Sequence, residues 1–334
     1  MQLIPIRNWG FRLNKIPIFL FLFTIVVLAN YTFVTKVEAQ TLQGELELVQ
    51  RYAPKLCFKN GERFYPTSVG YIINSSRLML RSNDGQPQLV DPNPLPSTLG
   101  KYSDQGLYLD NRLGSFEAIA SDYASKAQSK GYYTYAHIFT ESSSTVIQYW
   151  LFYAFNNGPL NEHQGDIEVI MVYLNSGGTP VEVVLSQHFA GENAQWADVE
   201  RYGETHPVVY VALGSHANYF RPYQGKIGIE SDNVGDDGLV ISPENLDIVL
   251  LGEKDNYPLE QSWLDFNGRW GYWGTDEEAA QGMAGPFGPV FNQDGFKWGN
   301  PSQFIDQTLL LICYTFILRG LQLTFCYCLL STRF

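Results

Sequence analysis

The chain has 334 residues and a formal net charge of -12, and its composition is rich in aromatic residues and modest in charged ones. Such a composition is globular, with enough apolar material for one large domain or two small ones. The acidic balance excludes nucleic acid as a partner, which needs a basic footprint, and excludes simple electrostatic adhesion to anionic lipid.

Residues 1–39 read as a targeting segment. Arg7, Arg12 and Lys15 precede the apolar run "IPIFLFLFTIVVLANYTFV", and "VEAQ" offers small residues around Ala39. This is the pattern of a signal peptide cleaved after Ala39, with an uncleaved signal anchor as the alternative. Either way the body, residues 40–303, is expected outside the cytoplasm, secreted or membrane-anchored. Residues 304–334 form a second hydrophobic stretch, broken by Arg319 and Gln322. A charge at the centre of a bilayer-spanning helix costs about 2.5–3.5 kcal/mol, so this tail reads as a poor membrane segment, a hydrophobic docking helix or a dispensable tail. The body carries Cys57 alone, so no disulfide framework supports it.

From about Leu46 the pattern is mostly β. "SVGYIINSSRLMLRS" predicts two strand pieces around a turn, and "DPNPLPSTLG" a proline-rich loop. "SFEAIASDYASKAQS", residues 115–129, carries the body's helix signal. "TYAHIFTESSSTVIQYWLFYAF" predicts a hairpin, and "IEVIMVYL-NSGGTP-VEVVLSQH" a second, clearer one. "HPVVYVALGS" is a further strand. Residues 263–301, dominated by Gly, Pro and Trp, predict ordered loop around the sheets. Strands at this density with few helices predict an all-β fold: a single β-sandwich with long ordered loops, plus the two terminal hydrophobic segments.

The chemistry concentrates at "NEHQGDIEVIMVYL". Residues two apart on a strand share a face, so Asp166 and Glu168 point the same way at the mouth of a strand that is apolar on both faces. Two such carboxylates repel and are costly to desolvate unless a cation, a basic side chain or a shared proton neutralises them. The hairpin turn centres near Gly177, so residues whose numbers sum to about 355 face each other. That register puts His188 or Phe189 opposite Asp166 and Gln187 opposite Glu168, with His163 in the loop just before. Mixed imidazole and carboxylate ligands suit a divalent cation, and a site that is mainly carboxylate favours Ca or Mg over Zn or Mn. His216, in "LGSHANYF", is a further candidate whose sheet end spacing cannot assign. His137 and His206 read as structural, the acids Asp232, Asp236 and Asp237 as a solvated turn, and Trp263, Trp270, Trp273 and Trp298 as packing.

"HQGDIE", "SQHFAGENAQW", "HPVVYVALGSHANYF" and "GRWG…GPFGP…W", in this order, resemble the vacuolar protein sorting-associated protein 62 family over about Val49 to Pro301. Ile167 stands where that family has Trp. "EHQGDIE" also resembles, more distantly, the heptapeptide GHRHDWE of the necrosis- and ethylene-inducing peptide family. His163, Asp166 and Glu168 keep its spacing; Gly165 replaces its second His and Gln164 its Arg. This second resemblance implies a divalent-cation site of His163, Asp166 and Glu168 at one end of a β-sandwich. It adds Asn156 and Asn157 where that family has an upstream acid, and it implies lipid-headgroup engagement. His188 and His216 would be additional ligands or would support the ligands from behind. The resulting expectation is an exported, non-enzymatic, cation-assisted binding protein for a membrane lipid headgroup or glycan. A metal-dependent hydrolase and a structural envelope protein without metal remain alternatives.

Overall fold

The computed structural model describes residues 41–81, 86–104, 106–141, 144–159, 161–187, 190–223, 226–227, 232–253, 256–272 and 282–301. The expectations for segments 1–39 and 304–334, and for His188 and Trp273, lie outside these residues. The chain divides into two compact units, Met1–Glu47 and Leu48–Phe334. In the first, residues 41–47 are described and helical. Among the described residues, no helix is long and apolar enough to cross a membrane.

The second unit is strand-rich, as the sequence predicts. Its centre is a six-stranded sheet in the order β16 (Leu246–Leu250), β5 (Tyr132–Glu141), β6 (Ser144–Asn156), β7 (His163–Asn175), β8 (Pro180–Gln187) and β9 (Ala190–Gln195). A five-stranded sheet holds β10 (Arg201–Tyr202), β11 (His206–Val211), β1 (Lys55–Phe58) and β15 (Val240–Ile241), with β12 (Asn218–Tyr219) paired to β11. A three-stranded sheet places β2 (Ser76–Leu80) between β3 (Gln88–Asp91) and β4 (Leu107–Asn111), and β13 (Lys226–Ile227) pairs with β14 (Asp232–Asn233).

Strands β6 and β7 are buried on both faces, which explains their near-continuous apolar sequence. Trp150, Phe152, Ile167, Val169 and Met171 pack into one core with Leu78, Leu107 and Leu109 of the small sheet and with Trp263, Phe266 and Trp270. The intervening residues, Tyr149, Leu151 and Tyr153, are buried against the other side of the sheet. There the Tyr149 hydroxyl donates to the Val49 carbonyl at 2.7 Å.

Both predicted hairpins form. The second has the expected register, with Ile170 opposite Leu185 and Val172 opposite Val183. The predicted helix runs Phe116–Lys126 (α3), with Glu117 in its first turn and Lys126 in its last, charges that suit the helix dipole. The first half of "SVGYIINSSRLMLRS" is a correction: Val69–Ser75 is a helix (α1), not a strand. Ser68 caps it by accepting from the Tyr71 N–H at 3.1 Å, and Val69, Ile72 and Ile73 share a buried face at helical spacing. The proline-rich loop holds one short helix, Pro96–Leu99 (α2). Residues 263–301 contain 3-10 turns and a short helix, Phe296–Gly299 (α4), rather than loop alone. Asp232 is also corrected. It is buried, and it accepts from the Ser215 hydroxyl at 2.5 Å and the Tyr219 hydroxyl at 2.6 Å.

Candidate functional site

The start of β7 is shaped by Gly165. Its φ of +67° lies in the left-handed region, and a Cβ there would fall 1.8 Å from the Trp270 carbonyl oxygen. Only glycine fits that backbone and that contact. The strand keeps register with β6 on both sides of the kink, so Asp166 lies opposite Tyr153 and Glu168 opposite Leu151. Both carboxylates are buried.

Asp166 receives three hydrogen bonds. His216 Nδ1 lies 2.8 Å from Oδ2, Asn156 Nδ2 donates to the same oxygen at 3.2 Å, and the Ile167 N–H donates to Oδ1 at 3.0 Å. His216 is fully buried and holds a φ of +55°, unusual for a residue with a side chain. Its ring stacks on Tyr153 with centroids 3.8 Å apart and planes 6° apart. Its Nε2 stands 3.6 Å from Glu62 Oε1, beyond hydrogen-bond length but within the reach of charge attraction. Glu62 is itself held by backbone N–H groups: Arg63 and Phe64 donate to Oε1 at 2.8 and 2.9 Å, and Gly214 donates to Oε2 at 2.8 Å.

The electrostatics follow from this geometry. Burial alone would push the His216 imidazolium down, but the charge of Glu62, the hydrogen bond that the ring donates to Asp166 and the charge of Asp166 outweigh it and lift the ring to about 9. Burial alone would raise the Glu62 carboxyl; the His216 charge, with the backbone N–H donors, holds it below its usual value. The cluster is therefore an imidazolium between two carboxylates.

The expected cation ligands must be judged against that arrangement. His163 is buried, but its Nδ1 lies 2.7 Å from the Gly165 carbonyl oxygen. Glu168 accepts from the Ser186 hydroxyl through Oε2. Asn156 turns its NH2, not its oxygen, toward Asp166, while its Oδ1 accepts from the Gly158 N–H at 2.8 Å. Among the described residues, no group of three or more His, Cys, Asp and Glu side chains is arranged to hold a metal ion. In this arrangement His163 Nδ1, both oxygens of Asp166 and Glu168 Oε2 have partners inside the protein. Of the additional candidates, His216 and Asn156 join Asp166, whereas Asn157 is exposed and faces a cleft. His206 Nδ1 lies 2.9 Å from the Ala53 carbonyl oxygen, a structural role.

That cleft, about 270 Å³ in volume, opens beside Glu62. Arg63, Phe116, Asn157, Leu213 and Asn233 line it. The Arg63 guanidinium lies 5.3 Å from the centroid of the Phe116 ring and donates to Glu117 at 3.3 and 3.4 Å. Sequence reading alone does not point to Glu62, which sits 152 positions from its partner Gly214 and in no local motif.

The sequence profile of a family described as vacuolar protein sorting-associated protein 62 matches residues 22–273. No curated protein is significantly similar to the chain. Several solved structures are loosely similar. One is NLPPya in complex with glucosamine, 15% identical, covering 79% of this chain and 88% of that one with a TM-score of 0.37. Another is described as a toxin fold as basis for microbial attack and plant defense, 16% identical, covering 76% and 90% with a TM-score of 0.36. A third is necrosis and ethylene inducing protein 2 from the causal agent of cocoa's witches' broom disease, 16% identical, covering 60% and 72% with a TM-score of 0.31. Superpositions this loose transfer neither a site nor a ligand.

Proposed function

We propose that this chain, which belongs to the vacuolar protein sorting-associated protein 62 family, works outside the cytoplasm as a non-enzymatic binding protein. Its ligand is hydroxyl-rich, a glycan or the sugar of a lipid headgroup, and it binds in the cleft beside Glu62. The cleft itself carries this reading. Two amide side chains, Asn157 and Asn233, offer both donors and acceptors, Arg63 adds donors, and Phe116 adds an aromatic ring. That mixture suits a sugar, which presents alternating hydroxyls and apolar C–H faces. The cation that the neighbouring carboxylates require is His216, within the protein, rather than a metal. His216 held protonated and Glu62 held ionised make a rigid wall, not an acid and base ready to exchange protons.

The test is titration of the full-length protein in detergent with neutral and amino monosaccharides, then with vesicles carrying glycosylated lipids. Saturable binding that weakens about tenfold in Asn157→Ala and Phe116→Ala, the effect of losing roughly one contact, supports the reading. A folded protein that binds none of these probes sinks it. A structural protein without ligand would then stand, since the buried cluster already neutralises itself.

A further inference from the structure

His137 sits where four elements meet, and its side chain is 1% exposed. It belongs to β5 and lies flat on the Trp298 ring of α4, with centroids 3.7 Å apart and planes 9° apart. Its Nδ1 is 3.0 Å from Gln148 Oε1 on β6, and its Nε2 is 3.0 Å from Glu253 Oε1, just past the end of β16.

The polarity of both contacts is fixed by their neighbours. Gln148 Nε2 donates to the Lys297 and Trp298 carbonyls at 2.7 and 3.0 Å. The Trp150 indole N–H, which can only donate, lies 3.2 Å from Gln148 Oε1. The atom that faces His137 Nδ1 is therefore the amide oxygen, and Nδ1 must carry a proton. Nε2 faces a carboxyl group whose side chain is 63% exposed. A carboxyl group that open to water is ionised, and the hydrogen bond from His137 holds it below its ordinary value against partial burial. Nε2 must donate as well. Turning the ring over would set carbon atoms against both oxygens. One acceptor at each ring nitrogen demands an imidazolium.

The two bonds differ in what their loss costs. Gln148 is fully buried, so its oxygen cannot turn to water. Glu253 is at the surface, and its carboxylate hydrates as soon as it is released. A neutral ring has one N–H, and keeping that proton on Nδ1 costs least. The chain next to Glu253 is fastened to β5 by the Leu251 N–H, which donates to the Ala136 carbonyl at 2.8 Å.

We propose that His137 is a proton-operated latch on the exit of β16. Doubly protonated, it ties Glu253 to the central sheet; on losing its Nε2 proton it keeps Gln148 and lets Glu253 swing into solvent. Among the described residues, the charged groups on the elements around the ring are Glu253, Asp247 farther up β16 beside Tyr133, Lys297 on α4 and Glu141 at the end of β5; Glu253 alone of these is bonded to the ring. The two partners titrate in opposite senses. A proton on His137 closes the latch, so the tie is lost as pH rises and that proton leaves. Glu253 must be ionised, so the tie is also lost as pH falls through its lowered value. The inference goes beyond ligand binding: it gives the fold a segment whose attachment is set by pH.

NMR of the full-length protein with isotopically labelled histidine tests this from about pH 5 to about pH 9. The His137 ring is identified by its nuclear Overhauser contacts with Trp298. At the acid end it should show protons on both nitrogens, and on titration it should lose the one on Nε2. Amide exchange at Leu251, corrected for base catalysis, should quicken about tenfold or more as that proton leaves, because the opened segment is then populated. In Glu253→Gln, a change at an exposed side chain, this quickening should vanish. A glutamine accepts from an imidazolium and donates to a neutral ring equally well, so the contact no longer reads the proton. A His137 ring that is neutral throughout the range in the folded protein overturns the proposal. So does exchange at Leu251 that follows the same pH curve in both proteins. The ring measurement uses the unaltered protein and decides by itself should the variant not fold. None of these readouts uses a ligand, so their failure leaves the cleft reading untouched.

Discussion

His216 Nδ1 stands 2.8 Å from Asp166 Oδ2, and the same ring lies flat on Tyr153. The two hydrogen-bonded residues are 50 positions apart, and neither is exposed. Their contact decides how the acids at the mouth of β7 are tolerated. A buried carboxylate needs a positive partner, and here that partner is an imidazolium held in a left-handed backbone conformation by the turn after β11.

Asp166→Asn should lower stability by about 3–5 kcal/mol, because it leaves the buried imidazolium with Glu62 alone. Chemical denaturation checks this. A loss below about 1 kcal/mol would mean that the pair behaves like a solvent-exposed one.

Stability should depend on pH through His216. Its folded value is raised from 6.5 to about 9, so the stabilisation from its charge is complete below about 6.5 and is lost as pH rises through 9. Glu62 shifts the opposite way: its contribution is present above its ordinary value of 4.5 and is lost as pH falls through its lowered folded value. Melting temperature should therefore be highest between about pH 4.5 and 6.5 as far as this cluster governs it, and fall toward pH 9. In Asp166→Asn and Glu62→Gln the alkaline fall should flatten. An alkaline slope identical in all three proteins would count against a charged His216.

Gly165→Ala should be among the most damaging single-atom additions to this chain. The new methyl would meet the Trp270 carbonyl, and the backbone would be forced to hold φ +67° with a side chain. Left-handed strain of about 1–2 kcal/mol and overpacking of about 1–3 kcal/mol add in the same direction. Thermal unfolding of the variant measures the sum; a melting temperature within a degree or two of the parent would show that β7 does not need the kink.

Tyr153→Phe tests whether the cluster holds anything beyond its own side chains. The Tyr153 hydroxyl is buried and has no hydrogen-bond partner within the protein. Removing it should leave stability unchanged or raise it by on the order of 1 kcal/mol, since an unsatisfied buried group is lost. A clear loss in denaturant melts would reveal a bound water or ion that uses this oxygen.

Local pattern made the hairpins legible. The β7–β8 register follows from one turn and the period of two, and the pairs Ile170–Leu185 and Val172–Val183 obey it. Helix α1 was not legible as such, because "VGYIIN" satisfies strand propensity as well as helix spacing, and only the Ser68 cap and the packing of Ile72 and Ile73 decide it. The pairing of His216 with Asp166 could not be read either. A residue reached by a long connection from β8 has no spacing rule to place it, and Glu62 arrives from a strand-to-helix loop still farther away in the chain.

Legible along the chain were an all-β body, a β7 that is apolar on both faces, and the placing of Asp166 and Glu168 at the mouth of that strand, where they need neutralising. Those conclusions rest on periods of two and on the cost of burying charge, both readable along a single segment. What supplies the charge was decided only by tertiary structure. Bringing Glu62, Asp166 and His216 into one interior depends on which sheet edges and loops meet, and no local interaction specifies that. Fields between buried groups act through space rather than along the chain, so the identity of the cation became visible only once the chain had folded around it.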